Sequence, residues 1–314
     1  MTGAPVVVVG GPTASGKSAL ALAIAEEFGG TVINADSMQV YRDLEVLTAR
    51  PRAAELARAP HRLYGFLGAA ERCSAGQWRT LAEAEIRAAS AEGRLPVLAG
   101  GSGLYLSALM SGLHDLPEVP AEIRERLNAR VAAEGAPALH AELAVRDPET
   151  AARLRPGDSQ RVVRALEILE HSGRGLAAWQ AASQAEGAAG LRFLTILIAP
   201  PRDALYAACD ARFVRMLDEG AEAEVARLVG IPGALDGPLA KAVGVAPLRA
   251  CLAGEIGRER MIELGTRDTR RYAKRQLTWF RHQFVSNLTL ETKLSEINPP
   301  EIFSFIRNFL LTPG

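Results

Sequence analysis

Cysteine is scarce: Cys73, Cys209 and Cys251 lie far apart in a chain of 314 residues. No C-x-x-C pair occurs, so neither a cysteine zinc site nor a disulfide framework is indicated, and scattered thiols in a reducing compartment are expected. Neither sign of charge is in excess, with 36 Lys and Arg against 36 Asp and Glu. That balance argues against a protein that coats nucleic acid nonspecifically, without excluding a local basic face. No apolar run approaches the roughly 20 residues of a membrane span. No basic segment with a secretory-type apolar stretch precedes the first predicted strand. The expectation is a cytoplasmic monomer that does not engage membranes.

The length admits one or two domains with a sizeable core. In the first hundred residues, short apolar runs alternate with amphipathic stretches. "PVVVVG", "TVINAD", "RLYGFLG" and "LPVLAGG" read as buried strands, and "SALALAIAEEF" and "WRTLAEAEIRAASAEG" as helices. This alternation predicts a parallel α/β sheet. From about Pro117 the pattern becomes consecutive helices, "EIRERLNARVAAEG", "PALHAELAVRD", "PETAARL" and "SQRVVRALEILEHSG", with Pro120, Pro137, Pro148 and Pro156 near their starts. "LRFLTILIAP" then returns as a strand, and the chain after Pro201 reads as mostly helical, ending in an amphipathic helix within "INPPEIFSFIRNFLL". The expected fold is a P-loop NTPase-like parallel sheet flanked by helices, built from residues 1–116 and 191–314. Residues 117–190 form an all-helical insertion with a flexible exit over "AASQAEGAAG".

"GPTASGKS", residues 11–18, fits G-x-x-x-x-G-K-[ST] between a strand and a helix. Gly11 and Gly16 let the backbone turn its N–H groups inward, and the helix N-terminus adds positive potential. Lys17 offers a point charge to phosphate, and Ser18 can ligate Mg²⁺. The loop does not name a reaction. A nucleotide hydrolase also carries an acidic residue at the end of an apolar strand, but "LPVLAGG" ends in glycines and no guanine-reading N-K-x-D occurs. The phosphates therefore need not belong to a hydrolysed nucleotide.

Three further clusters stand out. Asp36, in "DSMQVY", follows a strand, where ligands bind in open α/β sheets; it reads equally as a proton acceptor or metal contact and as an N-cap. "GGSGLYLSALMSG" places the Ser102 hydroxyl at another strand end, within what is otherwise a tight turn. "RERMIELGTRDTRRYAKRQLTWFRHQ" interleaves Arg267, Arg270, Arg271, Lys274, Arg275 and Arg281 with Tyr272, Trp279 and Phe280. Such a run suits phosphate contact and base stacking in RNA, or else a solvated helix with an apolar face. Arg161 and Arg164 form a smaller basic set.

Taken together, "GPTASGKS", "DSMQVYRDLEVLTARP", "GGSGLYLSAL", "DSQRVVRALEILEHSG", "ARFVRMLDEGAEAEV" and "AKRQLTWFR" resemble the tRNA dimethylallyltransferase family, in family order over roughly the first 285 residues. The resemblance implies transfer of a dimethylallyl group from dimethylallyl diphosphate, with Mg²⁺, to N6 of the adenosine just 3′ of the tRNA anticodon. It assigns Gly11, Pro12, Thr13, Ala14, Ser15, Gly16, Lys17 and Ser18 to the donor diphosphate and Asp36 to acceptance of the N6 proton. Arg212 would grip the diphosphate as charge builds on it, and Ser102, where the family usually has Thr, would hydrogen-bond near the reacting centre. Asp36, Ser37, Met38, Gln39, Ser102, Arg124, Gln160, Arg161, Val162, Val163, Arg164, Lys241, Lys274, Arg275, Trp279 and Arg281 fall on tRNA-contacting positions, with the helical insertion clamping the anticodon stem-loop. The chain has "LTARP" for the family's "GTAKP", and "VGVAP" for "VGY", which puts Val245 in place of an aromatic in an RNA-facing segment. A channel through the core would admit donor and RNA from opposite mouths. A small-molecule or nucleoside kinase on the same core, and a noncatalytic RNA-binding protein with a vestigial loop, are the alternatives.

Overall fold

The computed structural model describes residues 3–182, 185–292 and 298–312. Two compact units emerge, Met1–Met110 with Ala188–Gly314, and Ser111–Gly187. The first holds a parallel sheet of β1 (Ala4–Gly10), β2 (Thr31–Asn34), β3 (His61–Arg62), β4 (Pro96–Gly100), β5 (Leu191–Ile198) and β6 (Leu288–Leu290). Their spatial order is β3-β2-β4-β1-β5-β6. The helices begin with α1 (Lys17–Glu27), α2 (Ala53–Leu56), α3 (Ala75–Ala91) and α4 (Gly103–Met110). The second unit supplies α5 (Ala121–Glu134), α6 (Ala136–Arg146), α7 (Pro148–Ala152), α8 (Ser159–Ser172) and α9 (Leu176–Ala182). The first unit resumes with α10 (Arg202–Asp218), α11 (Ala221–Val229), α12 (Val245–Leu252), α13 (Arg258–Gln283) and α14 (Pro299–Leu311).

β1 is central, paired in parallel with β4 on one side and β5 on the other. Its unbroken valine run follows from that place, because a strand covered on both faces has no polar side. The pleat sends alternate residues to opposite faces. Val6 and Val8 join a core with residues of α3, α4 and α10–α13, while Val7 and Val9 join one with α1 and α14. The terminal helix α14 thus seals the α1 face with Ile302 and Ile306, and Phe303 meets Phe28 edge-on at 5.7 Å. Among the described residues, no helix is long and apolar enough to cross a membrane.

The sheet differs from the sequence expectation at both edges. "RLYGFLG" is not a full strand: only His61 and Arg62 pair with β2. The backbone then leaves the sheet at Leu63, where φ is +63°. Leu63, Phe66 and Leu67 pack against the core from a loop. β6 was not anticipated, being three residues that pair with β5 through Ile196 and Leu288.

The second unit closes on its own core of Leu127, Leu139, Leu143, Val162, Leu166 and neighbours. Asp147 caps α7 by accepting the Thr150 N–H at 3.1 Å, and Asp158 caps α8 at Arg161. Helix α9 had no counterpart in the sequence reading. Of the stretch read as a flexible exit, Ser183 and Gln184 lie outside the described residues.

Candidate active site

The winding of the sheet reverses beside β1, which places a crevice beyond the carboxyl ends of its strands. Leaving β1, the chain turns through residues 11–16 into α1. Ala14 and Gly16 both have positive φ, +62° and +93°. Helix α1 starts with no side-chain cap and no acidic residue in its first turn. Its first N–H groups are thus left uncapped, an arrangement that suits an anion. Lys17 folds back to donate to the Pro12 carbonyl at 3.2 Å. Burial lowers its pKa to about 8; the Asp36 carboxylate opposes that fall and Arg212 adds to it.

Beyond β2, Asn34 is fully buried and builds the Asp36 turn. Its Nδ2 donates to the carbonyls of Asp36 (2.9 Å) and Leu63 (3.0 Å), and its Oδ1 accepts the Asp36 N–H (2.8 Å). The Trp78 indole fixes the Asn34 carbonyl at 2.9 Å. One Asp36 oxygen accepts the Met38 N–H at 2.9 Å. Asp36 is therefore both a turn-former and a cavity group. Thr13, Lys17, Ser18, Asp36, Arg212 and Tyr272 line one cavity, in which Asp36 is the one carboxylate among the described residues. Loss of water lowers the pKa of Arg212, against the pull of Asp36. The same effect raises that of Tyr272 and keeps it a phenol.

A second cavity adjoins the first, sharing Lys17, Ser18, Arg212 and Met216 and adding Arg50, Arg52 and Arg215. Lys17 and Arg212 stand between the two. The end of β4 carries no acid: a Cβ added at Gly100 would lie 2.0 Å from the Ala35 carbonyl oxygen.

Ser102 is not among the residues lining the Asp36 cavity. Its hydroxyl accepts the Ser37 N–H at 2.8 Å and donates to the Ser37 hydroxyl at 3.0 Å. The observed part of Ser102 is to hold the Asp36 loop. Val162 and Val163, at 0% and 6% exposure, are core residues of the helical unit. This corrects their assignment to a contact surface: α8 turns them inward and leaves Gln160 and Arg161 exposed. Val245 is likewise 1% exposed, so it packs in the core and faces no RNA. Trp279 lies against Gly103, where an added Cβ would come 2.2 Å from the ring, and meets Phe280 edge-on at 5.2 Å. In this packing the Trp279 ring is half-buried. Lys241, Lys274, Arg275 and Arg281 are exposed, and Arg275 lies over the Tyr272 ring at 5.5 Å.

Four supporting residues escaped the sequence reading. Asn34 and Gln276 are buried amides, and Gln276 accepts the Thr13 N–H at 2.8 Å. Buried Glu167 holds Arg124 at 3.1 Å and Arg164 at 3.0 Å, fixing two candidate RNA contacts. Buried Glu224 accepts the N–H groups of Glu45, Val46 and Leu47, the last two at 3.0 Å. It thereby shapes the segment that brings Leu47 and Thr48 to the cavity. An amide cannot accept all three bonds with a charge's strength, so Glu224→Gln lowers unfolding free energy by about 1–3 kcal/mol. The denaturant midpoint reads this out, and an unchanged midpoint contradicts it.

Among the described residues, no group of three His, Cys, Asp or Glu side chains could hold a metal. The donors present, the Ser18 hydroxyl with Asp36 in the same cavity, fit a hard cation that brings water and phosphate oxygens with it.

Comparison with known proteins places the chain in a family. Residues 39–283 match the IPP transferase family. A tRNA dimethylallyltransferase of Rhodospirillum centenum is 56% identical over 285 residues, 90% of each chain. One from Rhodospirillum rubrum is 50% identical over 98% of this chain and 96% of its own. The crystal structure of a tRNA isopentenylpyrophosphate transferase from Bacillus halodurans is 32% identical, with TM-score 0.67 over 98% of this chain and 95% of that one. A eukaryotic dimethylallyltransferase acting on tRNA, 24% identical, shares the fold with TM-score 0.80 over 98% of this chain and 79% of that one. With a family match over most of its length and relatives about half identical to it across nearly all of the chain, this chain belongs to the IPP transferase family.

Proposed function

We propose that the protein transfers a dimethylallyl group from dimethylallyl diphosphate to N6 of the adenosine just 3′ of the anticodon in tRNA, releasing diphosphate. The observation that carries this reading is the single cavity shared by the phosphate loop, Arg212 and a lone carboxylate, Asp36. An exocyclic adenine amine is a weak nucleophile, because its lone pair is delocalised into the ring. The allylic carbon is a strong electrophile once its oxygen departs. As N6 bonds to the terminal carbon of the prenyl chain, the carbon–oxygen bond breaks and its electron pair leaves with the diphosphate. Lys17, Arg212 and the loop amides stabilise that charge. Asp36 accepts the N6 proton. Adenine inside a stack cannot reach Asp36, so the base is flipped into the cavity. The two adjoining cavities suit entry of donor and RNA by separate mouths. Ser18, with Asp36 nearby, would hold Mg²⁺, which supplies further neutralisation of the diphosphate.

The RNA surface assigned here comprises exposed Lys274, Arg275 and Arg281 on α13, with Lys241. On the helical unit it comprises Gln160 and Arg161 with the Glu167-held Arg124 and Arg164. Replacing Lys274 and Arg275 by alanine weakens tRNA binding and lowers the log–log salt slope by about 1–2. An unchanged slope returns that face to a structural role.

Burial of Lys17 sets a pH dependence. With its pKa lowered to about 8, the ammonium is present below pH 8 and lost above it. Donor affinity therefore falls as pH rises through 8, and binding near pH 8 takes up a proton at Lys17. Calorimetry in buffers of different ionisation enthalpy measures that uptake. Its persistence in Lys17→Met would contradict the assignment.

The function itself is tested by incubating the protein with labelled dimethylallyl diphosphate, Mg²⁺ and unmodified tRNA with adenosines at positions 36, 37 and 38. Label in the RNA is expected. ATP-dependent phosphorylation of a small acceptor without labelled RNA would favour a kinase, and tRNA binding without any transfer a noncatalytic binder.

A further inference from the structure

Helix α13 buries Thr269, Ala273, Gln276, Leu277 and Phe280 along one face. Gln276, at 6% exposure, is the carboxamide in that row. Burying an amide is costly unless both ends are paired. Here Oε1 accepts the Thr13 N–H at 2.8 Å, and Nε2 donates to the Gly101 carbonyl at 2.9 Å. Thr13 lies within the phosphate loop after β1. Gly101 lies at the end of β4, next to the Ser102 that holds Ser37 beside Asp36. The approach is close: a Cβ added at Gly101 would lie 2.3 Å from Nε2.

We infer that Gln276 is a positioning residue that ties the phosphate loop to the strand end supporting Asp36, and so sets how the diphosphate cradle faces the carboxylate. This rests on the functional reading above and deepens it. The Thr13 N–H is a tether, not a diphosphate donor, and the loop's anion-facing amides are those that follow it. Ala14, the next residue, holds a positive φ of +62°. A non-glycine residue keeps that conformation only when its surroundings over-determine it, and the Gln276 bond at Thr13 is one such restraint. The same helix carries exposed Lys274 and Arg275 two and one residues earlier, so the tie and the assigned RNA face share one rigid element.

The test titrates inorganic diphosphate with Mg²⁺ into the protein, a readout that needs no tRNA. Gln276→Met fills the same space without either hydrogen bond. It weakens diphosphate binding about tenfold, a change on the scale of one or two lost hydrogen bonds. The KM for the prenyl donor rises in step, while the KM for tRNA stays within about twofold. Leu277→Ala, a cavity in the same buried row, lowers the melting temperature and leaves diphosphate affinity unchanged. Hydrogen exchange on the unmodified protein gives an independent check: the Thr13 amide is protected before diphosphate is added, and to the same degree afterwards. Wild-type diphosphate affinity in Gln276→Met, loss of affinity in step with thermal stability in both variants, or Thr13 protection that appears only with diphosphate would each overturn the inference. Wild-type protein that binds diphosphate but labels no tRNA would sink the functional reading and leave the tether standing.

Discussion

Asp36→Ala reduces prenyl transfer to tRNA by about 10²–10⁴-fold, the usual contribution of a positioned general base. Affinity for tRNA changes little, because many phosphate contacts carry that affinity. The alanine variant alone does not separate proton transfer from architecture, since one Asp36 oxygen also accepts the Met38 N–H. Asp36→Asn does. Its amide oxygen still accepts that N–H, so the turn survives, but it cannot take a proton from N6. The account predicts that asparagine is nearly as inactive as alanine in single-turnover transfer. Recovery of the rate with asparagine would assign Asp36 to the turn alone.

The second large effect is at Arg212. The guanidinium shares the cavity with the phosphate loop, where it is half-buried and desolvation lowers its pKa. A fixed cation in such a place acts on charge that develops as the carbon–oxygen bond breaks. Arg212→Ala therefore lowers the single-turnover rate by about 10²–10³-fold, beyond any change in donor KM. Arg212→Lys restores charge without the planar fork and recovers part of the loss. If alanine raises only the donor KM and leaves the rate intact, Arg212 serves ground-state binding and the transition-state role is wrong.

Much of this site was legible in the chain because it is local. The valine run, the glycine loop and the helix that follows are contiguous, and each constrains the next. The buried middle strand β1, the phosphate loop and Asp36 at the end of β2 were read from such patterns. The supporting residues were not, because their partners are remote. Gln276 meets Thr13 across 263 positions, and Glu224 meets Glu45 across 179. No periodicity connects such pairs. The valines of α8 are a different case. Val162, Val163, Leu166 and Leu169 follow helical spacing and are buried together, so a face analysis separates them from Gln160 and Arg161. "RLYGFLG" failed because apolar content marks burial without choosing between a strand and a packed loop. The left-handed Leu63 that decides between them carries no glycine to announce it.

The central claim concerns where the diphosphate sits and what it faces. A crystal structure with Mg²⁺ and a nonhydrolysable thio-analogue of dimethylallyl diphosphate addresses it directly. The account predicts both phosphorus atoms against the amides at the start of α1 and within reach of Lys17 and Arg212, with the reactive carbon turned toward Asp36. An analogue bound with its diphosphate away from that loop, or with its carbon screened from Asp36, would contradict it.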